Sequence, residues 1–272
     1  MSKREQLRGT WSFDTALIVT DPSGIIHQEG RVSQRFELAS VTKLLSAYGA
    51  LIAIERGQLS LSDSAGQRAP AGATIRHLLS HASGLPFEQG YLAQKPERHR
   101  VYSNLGIEVL GERVAQATGV AFHEYVNREI LMPLGISEVT FYGSAAWGAH
   151  GSAFGVAKLL HEWMRPTLIC QALHRMATTC QFPDLDGVLP GYGRQKHNCW
   201  GLGFELRGHK DPHWLGPDHS PRSYGHFGQA GSFVWIDPSV DLGAVFLGAK
   251  PYGEEHRAKW SEMNARIRAA FR

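Results

Sequence analysis

The decapeptide Phe36-Glu37-Leu38-Ala39-Ser40-Val41-Thr42-Lys43-Leu44-Leu45 sets a serine and a lysine three residues apart where a strongly apolar helix begins. Three residues are about one helical turn, so the amine and the hydroxyl share one face and come within reach of each other. The continuation Leu44, Leu45, Tyr48, Leu51 and Ile52 forms an apolar stripe, and Ala47, Ala50, Ala53 and Ile54 fill the other faces. A helix apolar on all sides is enclosed by the rest of the chain, and Gly57 is its expected stop. A lysine desolvated at a helix N-terminus, where the dipole also disfavours a cation, has a lowered pKa and can act as a base near pH 7. The same helix end offers unpaired backbone N–H groups, that of Ser40 included, to a developing oxyanion. The alternative for the pair by itself is structural: Ser40 caps the helix and Lys43 extends outward.

The 272-residue chain is long enough for one large domain or two lobes, and 43% hydrophobic with 19% charged residues is ordinary for a globular protein. A formal charge of +3 gives no argument for nucleic acid. The basic runs Lys3 to Arg8, Lys95 to Arg100 and Arg257 to Arg272 contain or border acidic residues and read as solvated faces. The N-terminal residues show no secretory pattern and no stretch is apolar enough to span a bilayer, so the expectation is a cytoplasmic protein without a membrane partner. Cys170, Cys180 and Cys199 are odd in number and lack C-x-x-C spacing, which predicts free thiols in a reducing compartment.

In chain order, Thr15 to Thr20 reads as a strand, and Asp21-Pro22-Ser23-Gly24 turns it into a second run at Ile25-Ile26-His27. Thr74 caps a short helix carrying Ile75, Leu78 and Leu79, which ends at His81-Ala82-Ser83-Gly84-Leu85-Pro86, where His81 is expected to hold the turn by hydrogen bonds. Residues 86 to 100 read as an exposed loop that leads into Val101-Tyr102-Ser103-Asn104 and a helix stopped by Gly119. Further helices are expected around Phe122 to Ile130, Phe154 to Met164 and Pro166 to Thr179, giving the middle third an all-helical character. The segment from Cys180 to Tyr224 is rich in Gly, Pro and His; the spacing of Cys199, His197, His209, His213 and His219 matches no compact zinc motif, so it reads as a polar loop with no metal, containing a strand from Trp200 to Leu206. A hairpin follows, Ser232 to Ile236 and Leu242 to Leu247, with His226 and its glycines at the leading edge. A terminal helix presents Trp260, Met263, Ile267, Ala270 and Phe271 to the sheet. With strands at both ends of the sequence and helices between, the chain is expected to form one α+β domain: an antiparallel sheet built from both termini with flanking helices, about 10–60 and 190–272, and an inserted helical lobe, about 61–189.

Together, Ser40-Val41-Thr42-Lys43, Tyr102-Ser103-Asn104 and His226-Phe227-Gly228 resemble the S-x-x-K, Y-x-N and H/K-x-G elements of the serine β-lactamase and penicillin-binding superfamily, nearest to its class C branch with family VIII carboxylesterases and D-amino-acid peptidases. Leu79 to Pro86 is similar to that family's H-T-S-G-L turn. The resemblance implies a β-lactamase/transpeptidase-like fold, Ser40 as acylated nucleophile, Lys43 as proton acceptor, and Tyr102 as phenolate or hydrogen-bond relay. It implies that Asn104 binds the acyl side of the substrate and Lys43, and that the N–H groups of Ser40 and Gln229, after the triplet ending at Gly228, form the oxyanion hole. No cofactor is implied.

Two departures concern the substrate. His226 stands where β-lactamases and transpeptidases carry lysine, and a neutral imidazole anchors a carboxylate less firmly than an ammonium. Phe227 replaces a small hydroxyl residue. The expected function is a serine hydrolase acting through an acyl-enzyme on esters or small amides, with β-lactamase activity weak or absent. The alternatives are a D-amino-acid-specific peptidase or amidase, and a non-catalytic ligand-binding member of the fold.

Overall fold

The computed structural model describes residues 6–90 and 92–271. The first residues of the basic run starting at Lys3, and its last counterpart Arg272, lie outside them. The central element is a six-stranded antiparallel sheet of β1 (Thr15–Asp21), β2 (Gly24–Gly30), β8 (Glu205–Leu206), β9 (Tyr224–Gly228), β10 (Ser232–Asp237) and β11 (Leu242–Gly248), in the order β2-β1-β11-β10-β9-β8. The first and last thirds of the sequence thus meet in mid-sheet, where β1 pairs with β11 from Thr15 opposite Gly248 to Thr20 opposite Gly243.

Both faces of that sheet are covered, which explains why Ala16 to Val19 and Leu242 to Leu247 read as continuous apolar runs. Ala16, Ile18, Val234, Ile236, Val245 and Leu247 belong to a large core shared with α1 (Thr42–Glu55) and α5 (Ala153–Met164). Leu17, Val19, Phe233, Trp235 and Phe246 face the opposite way and join Trp260, Met263 and Ile267 of the terminal helix α7 (Glu254–Ala270). The α1 helix is buried along Thr42 to Ala53 and ends at Gly57, whose φ of 68° reverses the chain. Against it pack α3 (Asn104–Thr118), begun by the Ser103 cap and closed by Gly119, and α4 (Phe122–Val126), while α2 (Ile75–Leu79), capped by Thr74, packs on α3. A short helix, α6 (Gln171–Ala177), precedes the Gly- and His-rich segment.

Several details differ from the sequence reading. The middle third also holds strands: β3 (Arg35–Glu37), β4 (Val139–Phe141) and β5 (Ala149–Ser152) form a small sheet, too short to leave a period in the sequence. The helix α5 packs on β1 and β11 instead of among the other helices. Within 180–224, β6 (Gly187–Leu189) and β7 (Gly193–Gln195) form a hairpin, and Trp200 to Leu206 is a tight reversal with Trp200 opposite Glu205.

The thiol expectation is corrected: Cys180 and Cys199 are joined in a disulfide, their Cα atoms 5.3 Å apart, and only Cys170 is free among the cysteines. An antiparallel bridge between Gln181 and Trp200, with Gln181 N donating to Trp200 O, brings the two cysteines side by side despite 19 residues of separation. The argument from free thiols to a reducing compartment therefore falls. Arg100, read as part of a solvated basic run, is buried and donates to the carbonyls of Ser80, Asn198, Gln181 and Phe182. His213 and His219 are buried too and do not belong to an open polar loop. No helix among the described residues is long and apolar enough to cross a membrane.

Candidate active site

Ser40 sits in a 3-10 turn, Ala39–Val41, immediately before α1. The turn is forced by Ala39, which adopts a φ of 43°, a conformation costly for any residue with a β-carbon and a common companion of functional turns. It points the serine into a cavity of about 540 Å³ lined also by Tyr102, Asn104, Trp200, His226 and Gln229. Three stretches that lie far apart in the sequence thus meet at one cleft.

Lys43, in the first turn of α1, is 1% exposed. Its Nζ lies 2.9 Å from Ser40 Oγ and donates at 2.9 Å to the carbonyl of Ala146. The hydrogen bond from Lys43 to Asn104 implied by the resemblance is replaced by this carbonyl. Ala146 is held in turn by Glu108 of α3, which accepts from the Ser144 hydroxyl and from the N–H groups of Ala145 and Ala146. Burial lowers the Lys43 amine to about 7 against the opposing pull of Glu108, so a large fraction is neutral at physiological pH. A neutral amine 2.9 Å from a hydroxyl can take its proton.

Tyr102 enters just ahead of α3, its ring 4.9 Å from Lys43 Nζ. Its hydroxyl is buried and makes no complete hydrogen bond, while burial raises its pKa well above the ordinary tyrosine value, with the neighbouring Ser40 side chain pulling in the opposite direction. A raised pKa keeps the phenol protonated at neutral pH. His81 behaves as its position suggested. It accepts from Ser103 N, its carbonyl accepts from Val101 N, and its ring stands 4.9 Å from Tyr102.

At the opposite wall, β9 runs its last residues along the serine turn. A β-carbon at Gly228 would come within 2.6 Å of Leu38 O and 3.1 Å of Ser40 N, so only glycine allows this approach. The following reversal is closed by Gly231 N donating to Gly228 O, with Gly231 at a φ of 80°, and carries Gln229 beside the serine. Among the described residues, the N–H groups of Ser40 and Gln229 have no backbone acceptor. They are available to an oxyanion.

His226 Nδ1 lies 2.5 Å from Phe227 O, an acceptor only, which fixes the proton on Nδ1 and leaves Nε2 as a bare acceptor. That Nε2 is buried without a partner, and burial with the nearby Lys43 lowers the imidazole to about 3. Phe227 is among the residues lining the cleft, and its ring, on a residue 6% exposed, packs against Trp214, Tyr252 and Trp260 of the α7 side of the sheet.

Trp200 and Glu205 are among the lining residues that the sequence did not single out. Trp200 stands 5.8 Å from Tyr102 and 5.3 Å from His226, ring to ring, one residue beyond the disulfide at Cys199. Glu205 is buried beneath them and accepts from Lys210 Nζ, His213 Nε2 and Trp214 Nε1. Burial by itself would raise its pKa, but Lys210 and His213 outweigh burial and hold the carboxyl ionised. Nothing short of the fold pairs Glu205 with residues five to nine positions later on a loop. Among the described residues no group of three or more His, Cys, Asp or Glu side chains converges as metal ligands would.

The family model described as Beta-lactamase matches residues 27–267. A β-lactamase of Pseudomonas fluorescens is 26% identical over 292 aligned positions, covering 82% of either chain. Penicillin-binding protein 4* of Bacillus subtilis is 28% identical over 142 residues, which covers 41% of this chain and only 32% of that protein. The crystal structure of a β-lactamase from Mycobacterium bovis superposes with a TM-score of 0.93 at 40% identity, covering 96% of each chain.

Proposed function

Since the chain belongs to the β-lactamase family of serine hydrolases, we propose that it hydrolyses esters or small amides through an acyl-enzyme on Ser40, with β-lactamase activity weak or absent. The observation that carries this reading is the buried Lys43 amine, lowered to about 7 and 2.9 Å from Ser40 Oγ. A binding protein has no use for a desolvated amine beside a hydroxyl.

In the proposed reaction Lys43 removes the Ser40 proton as Oγ attacks the substrate carbonyl. The carbonyl oxygen becomes an oxyanion between the N–H groups of Ser40 and Gln229. Collapse expels the alcohol or amine, which takes a proton delivered from Lys43 through the Tyr102 hydroxyl. Water, activated by the same Tyr102–Lys43 pair, then attacks the acyl-enzyme and releases the acid. Asn104 and His226 face the bound substrate.

The low basicity of His226 supports esters and amides over β-lactams, because a β-lactam carboxylate needs a cation where this chain supplies a neutral ring. The test is turnover of a short-chain nitrophenyl ester by the protein and its Ser40→Ala variant. The expected result is loss of at least about a thousandfold in kcat/KM. Equal turnover in the two proteins would refute the assignment of Ser40.

A further inference from the structure

The cavity in front of Ser40 holds two buried acceptors that no protein donor meets. His226 Nε2, on a side chain 3% exposed, presents a lone pair with no donor to meet it, and the tautomer is fixed by Phe227 O. Asn104 Oδ1 is a second buried acceptor without a partner. Buried acceptors of this kind are costly to leave unpaired, and a ligand that brings donors relieves the cost. No Lys or Arg is among the described residues lining the cavity.

The mouth carries the same bias. Glu37, on β3, and Glu88, on the loop before Tyr102, both line the cavity and are exposed, and among the described residues neither carboxylate makes an ion pair or a side-chain hydrogen bond. Beside them stand Phe87 and Trp147, 45% and 59% exposed, aromatic faces turned to solvent at the same opening. Carboxylates and open aromatic rings together attract cations, by Coulomb attraction and through the ring quadrupole.

We propose that the substrate of this site carries a cationic, hydrogen-bond-donating group, of the primary ammonium class, which enters past Glu37 and Glu88 and donates to the unpaired acceptors of the cavity. The inference rests on the acyl-enzyme reading for its place in catalysis, and concerns which ester or amide is used. It also separates the site from one built for anionic substrates. A carboxylate entering here meets the like charges of Glu37 and Glu88 at the mouth, with no Lys or Arg among the described lining to offset them.

The test compares nitrophenyl esters of ω-aminohexanoate, heptanoate and adipate, nearly equal in length and cationic, neutral and anionic in turn. The expected order of kcat/KM is cationic above neutral above anionic, with the cationic-to-neutral ratio about fivefold at low ionic strength and shrinking as salt is added. In the Glu37→Gln/Glu88→Gln protein that ratio falls and loses its dependence on salt. A ratio of one or less in the unaltered protein, or a preference that the double substitution leaves intact, overturns the proposal. Binding to the Ser40→Ala protein supplies a readout independent of turnover: by calorimetry hexylammonium is expected to bind more tightly than hexanoate. The reverse order would reject the cationic substrate even if the acyl-enzyme reading stood, and absence of ester turnover with hexylammonium still preferred would reject only the latter.

Discussion

In the proposed reaction Lys43 decides most of the chemistry at the scale of single residues, because its protonation state would set whether Ser40 has a base. With the amine at about 7, the competent neutral form grows as pH rises through 7 and is lost below it. The kcat/KM profile for a neutral ester is therefore expected to fall on the acid side with an apparent pKa of about 7. Removing Glu108, whose negative charge opposes the lowering, should move that limb to lower pH, and a Glu108→Gln limb displaced upward would contradict the assignment. Tyr102→Phe leaves the packing against His81 and Trp200 and removes only the hydroxyl. An expected loss of about a hundredfold in kcat, with KM little changed, marks the relay, and a change confined to KM would mark a substrate contact instead. Ser40 and Lys43 were legible because their pairing is local, one helical turn. Tyr102, Asn104, His226 and Gln229 were reachable only through the resemblance, since no spacing in the chain ties them to Ser40. Ala146, which receives the Lys43 proton donor, offers a main-chain carbonyl that no side-chain pattern reveals.

At the scale of elements, the serine turn, the start of α3 and the end of β9 converge because each has a local device that stops it at the right place. The devices are the φ of 43° at Ala39, the Ser103 cap that accepts from Gly106 N, and the bare backbone at Gly228. Gly228→Ala drives a methyl group against Leu38 O and Ser40 N, so it should spoil the proposed oxyanion site. Circular dichroism is expected to show a folded protein with kcat down by at least about tenfold, and unchanged kcat would place the oxyanion elsewhere. The element least visible in the sequence was the segment carrying the Cys180–Cys199 disulfide, where cysteine counting suggested thiols. Cross-strand pairing of Gln181 with Trp200 creates that link, and pairing of distant strands leaves no trace in local composition. Closing 19 residues by a covalent bond stabilises the fold by about 3 kcal/mol through the unfolded chain, so the Cys180→Ser/Cys199→Ser protein should lose that amount in urea unfolding. Equal stability of the two proteins would show that the link is not formed in solution.

For the whole molecule, the sheet assembled from both termini was readable because β1, β10 and β11 are continuous apolar runs bounded by clear turns, and the burial of both their faces explains that composition. The small sheet of β3, β5 and β4 was not, since runs of three and four residues carry no usable period. Nor does periodicity tell that α5 leaves the other helices to cover β1 and β11, because the choice between two apolar partners is made by topology. The resulting cleft lies where the serine turn at the head of α1 meets β9, walled by Tyr102, Trp200 and His226 and free of Lys and Arg among its described lining. A chromogenic cephalosporin, whose carboxylate finds no cation there, is accordingly expected to turn over at least about a hundredfold more slowly in kcat/KM than a neutral nitrophenyl ester.

The central claim is that Ser40 becomes acylated, and its most direct test is the mass of the intact protein quenched during steady-state turnover of a nitrophenyl ester. The account predicts a species heavier by one acyl group, mapped by peptide fragmentation to Ser40 and absent from the Ser40→Ala protein. An adduct on another residue, or turnover without any adduct even when deacylation is slowed by low temperature, would contradict it.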